Sequence, residues 1–169
     1  MAGAVLAAGA GVVGLAGCSA LRNAEPKVGD CLQLGGPGGT SDRSSGIAGA
    51  CGAPETNFHV VAVVDGAVVD GRAGRDRCPT DVDSSYTMRN MFGRSDSTAC
   101  LDVDWVVGGC MSVDPETDPV RVDCNDPGVL HRQRATQVLA GVADADQCAS
   151  GLGYAYDTRR FTVCVENVN

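Results

Sequence analysis

Several residue types are scarce in this chain of 169 residues, and each scarcity removes a class of function. Lys27 is the single lysine. The other cations are arginines, and 13 basic residues stand against 21 acidic ones, for a net charge of −8. Nucleic acid demands clustered cations, so no nucleic-acid partner is expected. Aromatic residues are Phe58, Tyr86, Phe92, Trp105, Tyr154, Tyr156 and Phe161, too dispersed to make a stacking platform for bases or sugars. Only His59 and His131 could serve as imidazole bases. No C-x-x-C occurs, since the closest cysteines are Cys100 and Cys110, and that spacing excludes structural zinc and thioredoxin-like redox motifs. No metal and no cofactor is expected. Residues 1–17 carry no charge of either sign.

What those first residues do hold is Ala, Gly, Val and Leu, an apolar segment with small residues at its end, which reads as a signal peptide. The segment is short for a membrane span and is followed at once by the polar stretch Ser19 to Lys27. Leu15-Ala16-Gly17-Cys18 has the lipobox pattern: a branched apolar residue, two small residues, then cysteine. The expected organisation is a signal peptide over 1–17, a lipidated Cys18 and a linker over 18–27. Two or three acyl chains (palmitate among them) hold a protein stably on a lipid bilayer where one does not. The same stretch contains Gly9-Ala-Gly11-Val-Val-Gly14, which matches the G-x-G-x-x-G dinucleotide fingerprint. That fold needs a buried strand ending in an acid about 20 residues on. Asp30 stands at such a distance, but Pro26 interrupts the strand and no alternation of strands and helices follows.

With Cys18 set aside, eight cysteines remain: 31, 51, 78, 100, 110, 124, 148 and 164. An even set of well-separated cysteines in a small chain reads as a disulfide framework in an oxidising compartment. They fall into an internal repeat. Val28-Gly-Asp-Cys31 matches Val107-Gly-Gly-Cys110, and Cys51-Gly-Ala-Pro54 matches Cys124-Asn-Asp-Pro127. A histidine follows each C-x-x-P, His59 and His131, and each leads into an apolar stretch. Asp76-Arg-Cys78 matches Asp146-Gln-Cys148, each with a tyrosine eight residues on, Tyr86 and Tyr156. Thr98-Ala-Cys100 matches Thr162-Val-Cys164. The units run over 28–104 and 105–169. Bonding first with second and third with fourth cysteine gives Cys31–Cys51, Cys78–Cys100, Cys110–Cys124 and Cys148–Cys164. Loops of this size are each worth roughly 3 kcal/mol in the chain-entropy model.

The expected fold class is α+β: two tandem disulfide-stapled units, each a short antiparallel sheet with one helix. Strands should carry the first cysteine, the C-x-x-P and the fourth cysteine, with a helix near the third. Asp144-Ala-Asp-Gln-Cys148-Ala-Ser-Gly151 has acids in its first turn and a terminal glycine, as a helix should. Val60 to Val64 is apolar without alternation and reads as a central strand buried on both faces. Trp105 stands at the junction and is suited to fill a seam between units.

Chemistry is sparse. His59 and His131 could be a binding or acid/base pair brought together by the repeat, or strand-entry residues bonded to backbone. Neither lies near a nucleophile motif such as G-x-S-x-G. Asp102, Asp104, Asp114, Glu116 and Asp118 form acidic clusters without EF-hand spacing, and Asp-Pro-Glu-Thr-Asp-Pro reads as a turn. No catalytic residue is assigned.

The lipobox, V-G-D-C, C-x-x-P before a histidine and the Val60-Val-Ala-Val-Val64 strand resemble the actinobacterial, chiefly mycobacterial, LppU-type lipoproteins. They are also similar to septum-formation-type domains of actinobacterial membrane proteins. The second unit departs from that pattern with Gly109 in place of the aspartate, and both histidines stand several residues past the proline. The resemblance implies an address, lipid-anchored on the extracytoplasmic face of the cell membrane, and carries no enzymatic activity with it. The expected role is a non-catalytic binding or adaptor protein for an envelope protein. The alternative is a carrier of a small apolar or lipid ligand in a pocket between the units.

Overall fold

In both halves the V-G-x-C motif turns the chain on a glycine held in the left-handed region, φ 95° at Gly29 and 87° at Gly108. A side chain would be strained there. The Gly29 amide donates to the Val60 carbonyl at 2.9 Å and the Gly108 amide to that of Ala135 at 2.7 Å, so each turn is stitched to the longest strand of its sheet. A computed structural model describes residues 25–35, 46–66, 77–88 and 96–168 of the chain. The signal segment, Cys18 and most of the linker lie outside the described residues.

The first sheet contains β1 (Cys31–Gln33), β2 (Ile47–Gly49), β3 (Phe58–Asp65), β4 (Ser84–Met88) and β5 (Ser97–Val103). The second contains β6 (Cys110–Ser112), β7 (Val120–Val122), β8 (Arg132–Ala140), β9 (Gly153–Tyr156) and β10 (Phe161–Asn167). Their strand orders are β2-β1-β3-β5-β4 and β7-β6-β8-β10-β9, antiparallel throughout, so the two sheets share one topology. Even the irregularity is shared. Register slips between Val60 and Ala62 against β5, and at the matching place between Cys164 and Val165 against β8.

The fold is nearly all β, which corrects the expected α+β class. Among the described residues there is no α-helix. The best helical signal, Asp144 to Gly151, makes a single 3-10 turn over Ala145–Gln147. Its acids work as a turn device, because the Asp144 carboxylate accepts the Asp146 amide at 2.9 Å. Cys148 is then tied to Cys164, and Gly151 reverses the chain at φ 67°. Three residues cannot repay the cost of a helical nucleus. In the first unit Pro79 follows Cys78 directly, and a short turn leads into β4. The chain after each third cysteine forms a strand, β4 or β9, that the sequence reading lacked. The second strand of each unit also precedes the C-x-x-P, which forms a turn instead of a strand.

The disulfides are Cys31–Cys51, Cys78–Cys100, Cys110–Cys124 and Cys148–Cys164. In each sheet one bond closes the loop between the first strand and the C-x-x-P turn. The other pins the third cysteine onto the interior strand β5 or β10.

Leu32, Leu34, Phe58, Val60, Ala99 and Leu101 form the first core; Ala135, Tyr156, Val163 and Val165 form the second, with Trp105, Tyr154 and Phe161 packed against it. The strands buried on both faces are β5 and β10, whose central residues are all buried. β3 is central in its sheet but not buried on both faces: Val63 is 39% exposed and Asp65 faces solvent. Its apolar run reflects β-branched preference for strand geometry as much as burial.

Candidate functional site

The register of the two sheets assigns true equivalents, and these differ from the matches that cysteine spacing suggests. His59 pairs across strands with Cys31, and Arg134 with Cys110. His59 is therefore equivalent to Arg134, and His131 is equivalent to Thr56. Tyr86 lies across from Ala99 and Tyr154 across from Val163, so Tyr86 corresponds to Tyr154 and not to Tyr156. The histidines are consequently no symmetric pair. His59 is half-buried on β3 beside Asp102, its partner on β5. His131 is exposed at the entry to β8, in the left-handed region at φ 53°, with Nε2 3.7 Å from the Asp114 carboxylate. Asp114 itself caps the predicted acidic turn by accepting the Glu116 amide at 2.8 Å.

The strongest polar constellations join the two sheets, and both are arginines of the second unit gripped by acids of the first. At one end, the β9–β10 turn carries Arg159 into sheet one. Its Nε reaches Asp81 Oδ1 at 3.2 Å, its Nη2 donates to the Asp81 carbonyl at 2.9 Å, and its Nη1 donates to Asp102 Oδ2. Asp81 also accepts the backbone amides of Thr158 at 2.9 Å and Arg159 at 3.2 Å. The guanidinium lies 4.9 Å from the centre of the Tyr156 ring, which stacks on Phe161 at 4.3 Å. The Tyr156 hydroxyl donates to Asp83 Oδ2 at 2.7 Å, and the Val103 amide donates to the same oxygen at 2.8 Å.

Burial governs the ionisation of this cluster. Desolvation pushes Asp102 and Asp83 above the usual carboxylate range, outweighing the hydrogen bonds and the Arg159 charge that favour ionisation. Asp83 is exposed as a residue, but its Oδ2 is turned inward. Tyr156 is pushed up by burial and by the nearby Asp83, and Tyr154 likewise. Burial alone would lower Arg159, yet Asp102 and Asp81 hold it above its ordinary value. Asp102 Oδ1 is buried without a hydrogen-bond donor.

At the other end, Arg121 on β7 donates through Nε to the Ala53 carbonyl at 3.1 Å and through Nη2 to Asp104 Oδ2 at 3.1 Å and to the Asp104 carbonyl. Asp104 Oδ2 also accepts the Gly52 amide at 2.6 Å and the Thr56 hydroxyl at 3.2 Å. Trp105, next in the chain, stacks on Tyr154 at 5.4 Å and joins the second core, as suits a seam residue, with its Nε1 buried and unpartnered. Asp104 lies close to the sulfurs of Cys31 and Cys51. Those sulfurs are bonded to each other, so neither is a thiolate ligand and the three make no metal site.

A shallow depression of about 620 Å3, wide open to solvent, lies beside this end of the seam. Gly52, Val106, Arg121, Asn125, Arg134 and the Cys110–Cys124 bridge line it. Exposed apolar residues occupy equivalent positions in the two sheets: Val28 and Val107 in the glycine turns, Ile47 and Val120 on the edge strands, Val63 and Val138 on the long strands.

Nothing in the sequence analysis points to Arg121, to Asp81 or to a seam role for Asp102, Asp104 and Arg159; it finds in Asp102 and Asp104 only an acidic cluster without EF-hand spacing. A signal existed. Arg121 corresponds to Ala48 and Asp104 to Val168, so the seam charges sit where the repeat breaks its own pattern. No family model, no curated protein and no solved structure matches this chain.

Proposed function

We propose that the chain is an extracytoplasmic protein anchored on the cell membrane through acylated Cys18, with two like β-sheets acting as a non-catalytic adaptor for an envelope protein. The observation that carries the address is the cysteine count. Eight of nine cysteines are consumed in four disulfides, a pattern of oxidising compartments, and the ninth is the one in the lipobox. Matched exposed valines and isoleucine on both sheets favour a binding surface, because isolated apolar exposure is common but repetition at equivalent positions is not required by folding. The open depression beside the seam suits surface recognition better than storage of an apolar ligand, which calls for an enclosed apolar cavity.

Expression in an actinobacterial host tests the reading. The mature protein should begin at Cys18, carry acyl mass and fractionate with membranes, and Cys18→Ser should release it to the soluble fraction. A Cys18→Ser protein that remains on the membrane with Met1 intact would refute the anchor. In-cell crosslinking from Val63 and Val138 should capture an envelope protein, and capture of a lipid alone would support the carrier instead.

A further inference from the structure

We propose that Cys31–Cys51 and Cys110–Cys124 form a thiol–disulfide exchange site at one end of the molecule, open to a dithiol reductant, while Cys78–Cys100 and Cys148–Cys164 are closed to it. The inference does not depend on lipidation of Cys18. Cys51 is exposed and Cys124 is half-buried, whereas Cys78, Cys100, Cys148 and Cys164 are all buried, none more than 6% exposed. The surroundings differ in the same sense. Cys51 Sγ faces the carbonyl of Gly29 at 3.7 Å and Cys124 Sγ that of Gly108 at 3.8 Å. A Cβ built on either glycine would meet nothing within 4 Å, so open space adjoins both turns. The sulfur of Cys148, in contrast, would lie 2.9 Å from a Cβ at Gly153, leaving no room for an incoming sulfur.

The two accessible bonds also share a location. Gly52, next to Cys51, approaches the Val106 side chain to within 3.1 Å of its own Cβ position, and both Gly52 and the Cys110–Cys124 bridge line the open depression.

The chemistry is a two-electron exchange. A thiolate of the reductant bonds to Cys51 Sγ, or to Cys124 Sγ. The protein S–S bond breaks, and its electron pair leaves on Cys31 or Cys110, which takes up a proton. The second thiol of the reductant attacks its own sulfur in the mixed disulfide, frees the remaining cysteine and leaves the reductant as a disulfide. Reduction of Cys31–Cys51 releases the turn that supplies the Gly52 amide, the Thr56 hydroxyl and the Ala53 carbonyl to Asp104 and Arg121, and so loosens the seam at that end.

The test is timed reduction of the folded, oxidised full chain with dithiothreitol, followed by alkylation and peptide mapping. Cys31, Cys51, Cys110 and Cys124 should label at least about tenfold faster than the other four, because buried bonds must await an opening event. In denaturant the difference should vanish. Equal rates in the folded protein, or earlier labelling of Cys78–Cys100 or Cys148–Cys164, would overturn the proposal.

Discussion

Replacing Arg159 with alanine should be among the most damaging single changes in the molecule. The substitution strands two carboxylates, Asp81 and Asp102, whose side chains are 9% and 8% exposed and which sit in the seam without another cation at hydrogen-bond distance among the described residues. Breaking a buried ion pair by removing one partner costs roughly 3–5 kcal/mol, because the remaining charge has lost its water and gained nothing. Arg159 itself is 21% exposed, so water can reach the gap and the lower figure applies, about 3 kcal/mol. For a protein of this size that corresponds to a fall in Tm of roughly 6–12 °C. Thermal unfolding of the oxidised protein at neutral pH, followed by circular dichroism or calorimetry, measures it. Arg159→Lys should fall between, since an ammonium keeps charge but not the fork that holds Asp81 and Asp102 together. Adding Asp102→Asn to Arg159→Ala should recover part of the loss by removing a stranded charge. A fall of less than about 2 °C for Arg159→Ala, or no recovery in the double variant, would refute the claim that this cluster joins the sheets.

The raised carboxylates predict an unusual pH response. Their folded pKa lies above the unfolded value, so their ionised forms disfavour folding at neutral pH, and this cost is relieved as pH falls through the folded pKa toward the unfolded value of 3.8. Asp83→Asn, which keeps acceptors for the Val103 amide and Tyr156 hydroxyl, should therefore raise Tm at pH 7 and lose that advantage near pH 4; a Tm lowered at pH 7 would contradict it. Removing a locked disulfide as Cys148→Ser with Cys164→Ser opens a loop of sequence separation 16, and should cost about 3 kcal/mol by chemical denaturation. An unchanged denaturation midpoint would show that packing alone holds β10.

Local sequence carried the disulfide framework because each cysteine travels with its turn. V-G-x-C and C-x-x-P are short-range devices, complete within a few residues, and the register of the sheets leaves them side by side. Helix was misread for a related reason. Asp144 and Gly151 are start and stop signals for any tight turn, and what distinguishes a helix from a 3-10 turn is the length between them. The equivalences of His59 and Tyr86 were misjudged because loops of unequal length move residues relative to the cysteines, whereas strand pairing does not. The seam was illegible for a deeper reason: Arg159 and Asp81 are joined only through packing of one sheet on the other. No pattern within either unit announces such a contact except the mismatch between Ala48 and Arg121, or Val168 and Asp104.

That mismatch has a further consequence. Two sheets of one plan would, in a symmetric contact, meet as two-fold partners, each offering what it receives. Here both arginines, Arg121 and Arg159, lie on the second sheet, and the acids that receive them, Asp81, Asp102 and Asp104, lie on the first. The contact is a plug and a socket. Two first sheets would set carboxylate against carboxylate, and two second sheets guanidinium against guanidinium. Association through this seam is therefore directional, head to tail. The few residues between β5 and β6 make it close within one chain. If that connection were lengthened or cut, the same complementarity would let the second sheet of one molecule dock on the first sheet of the next.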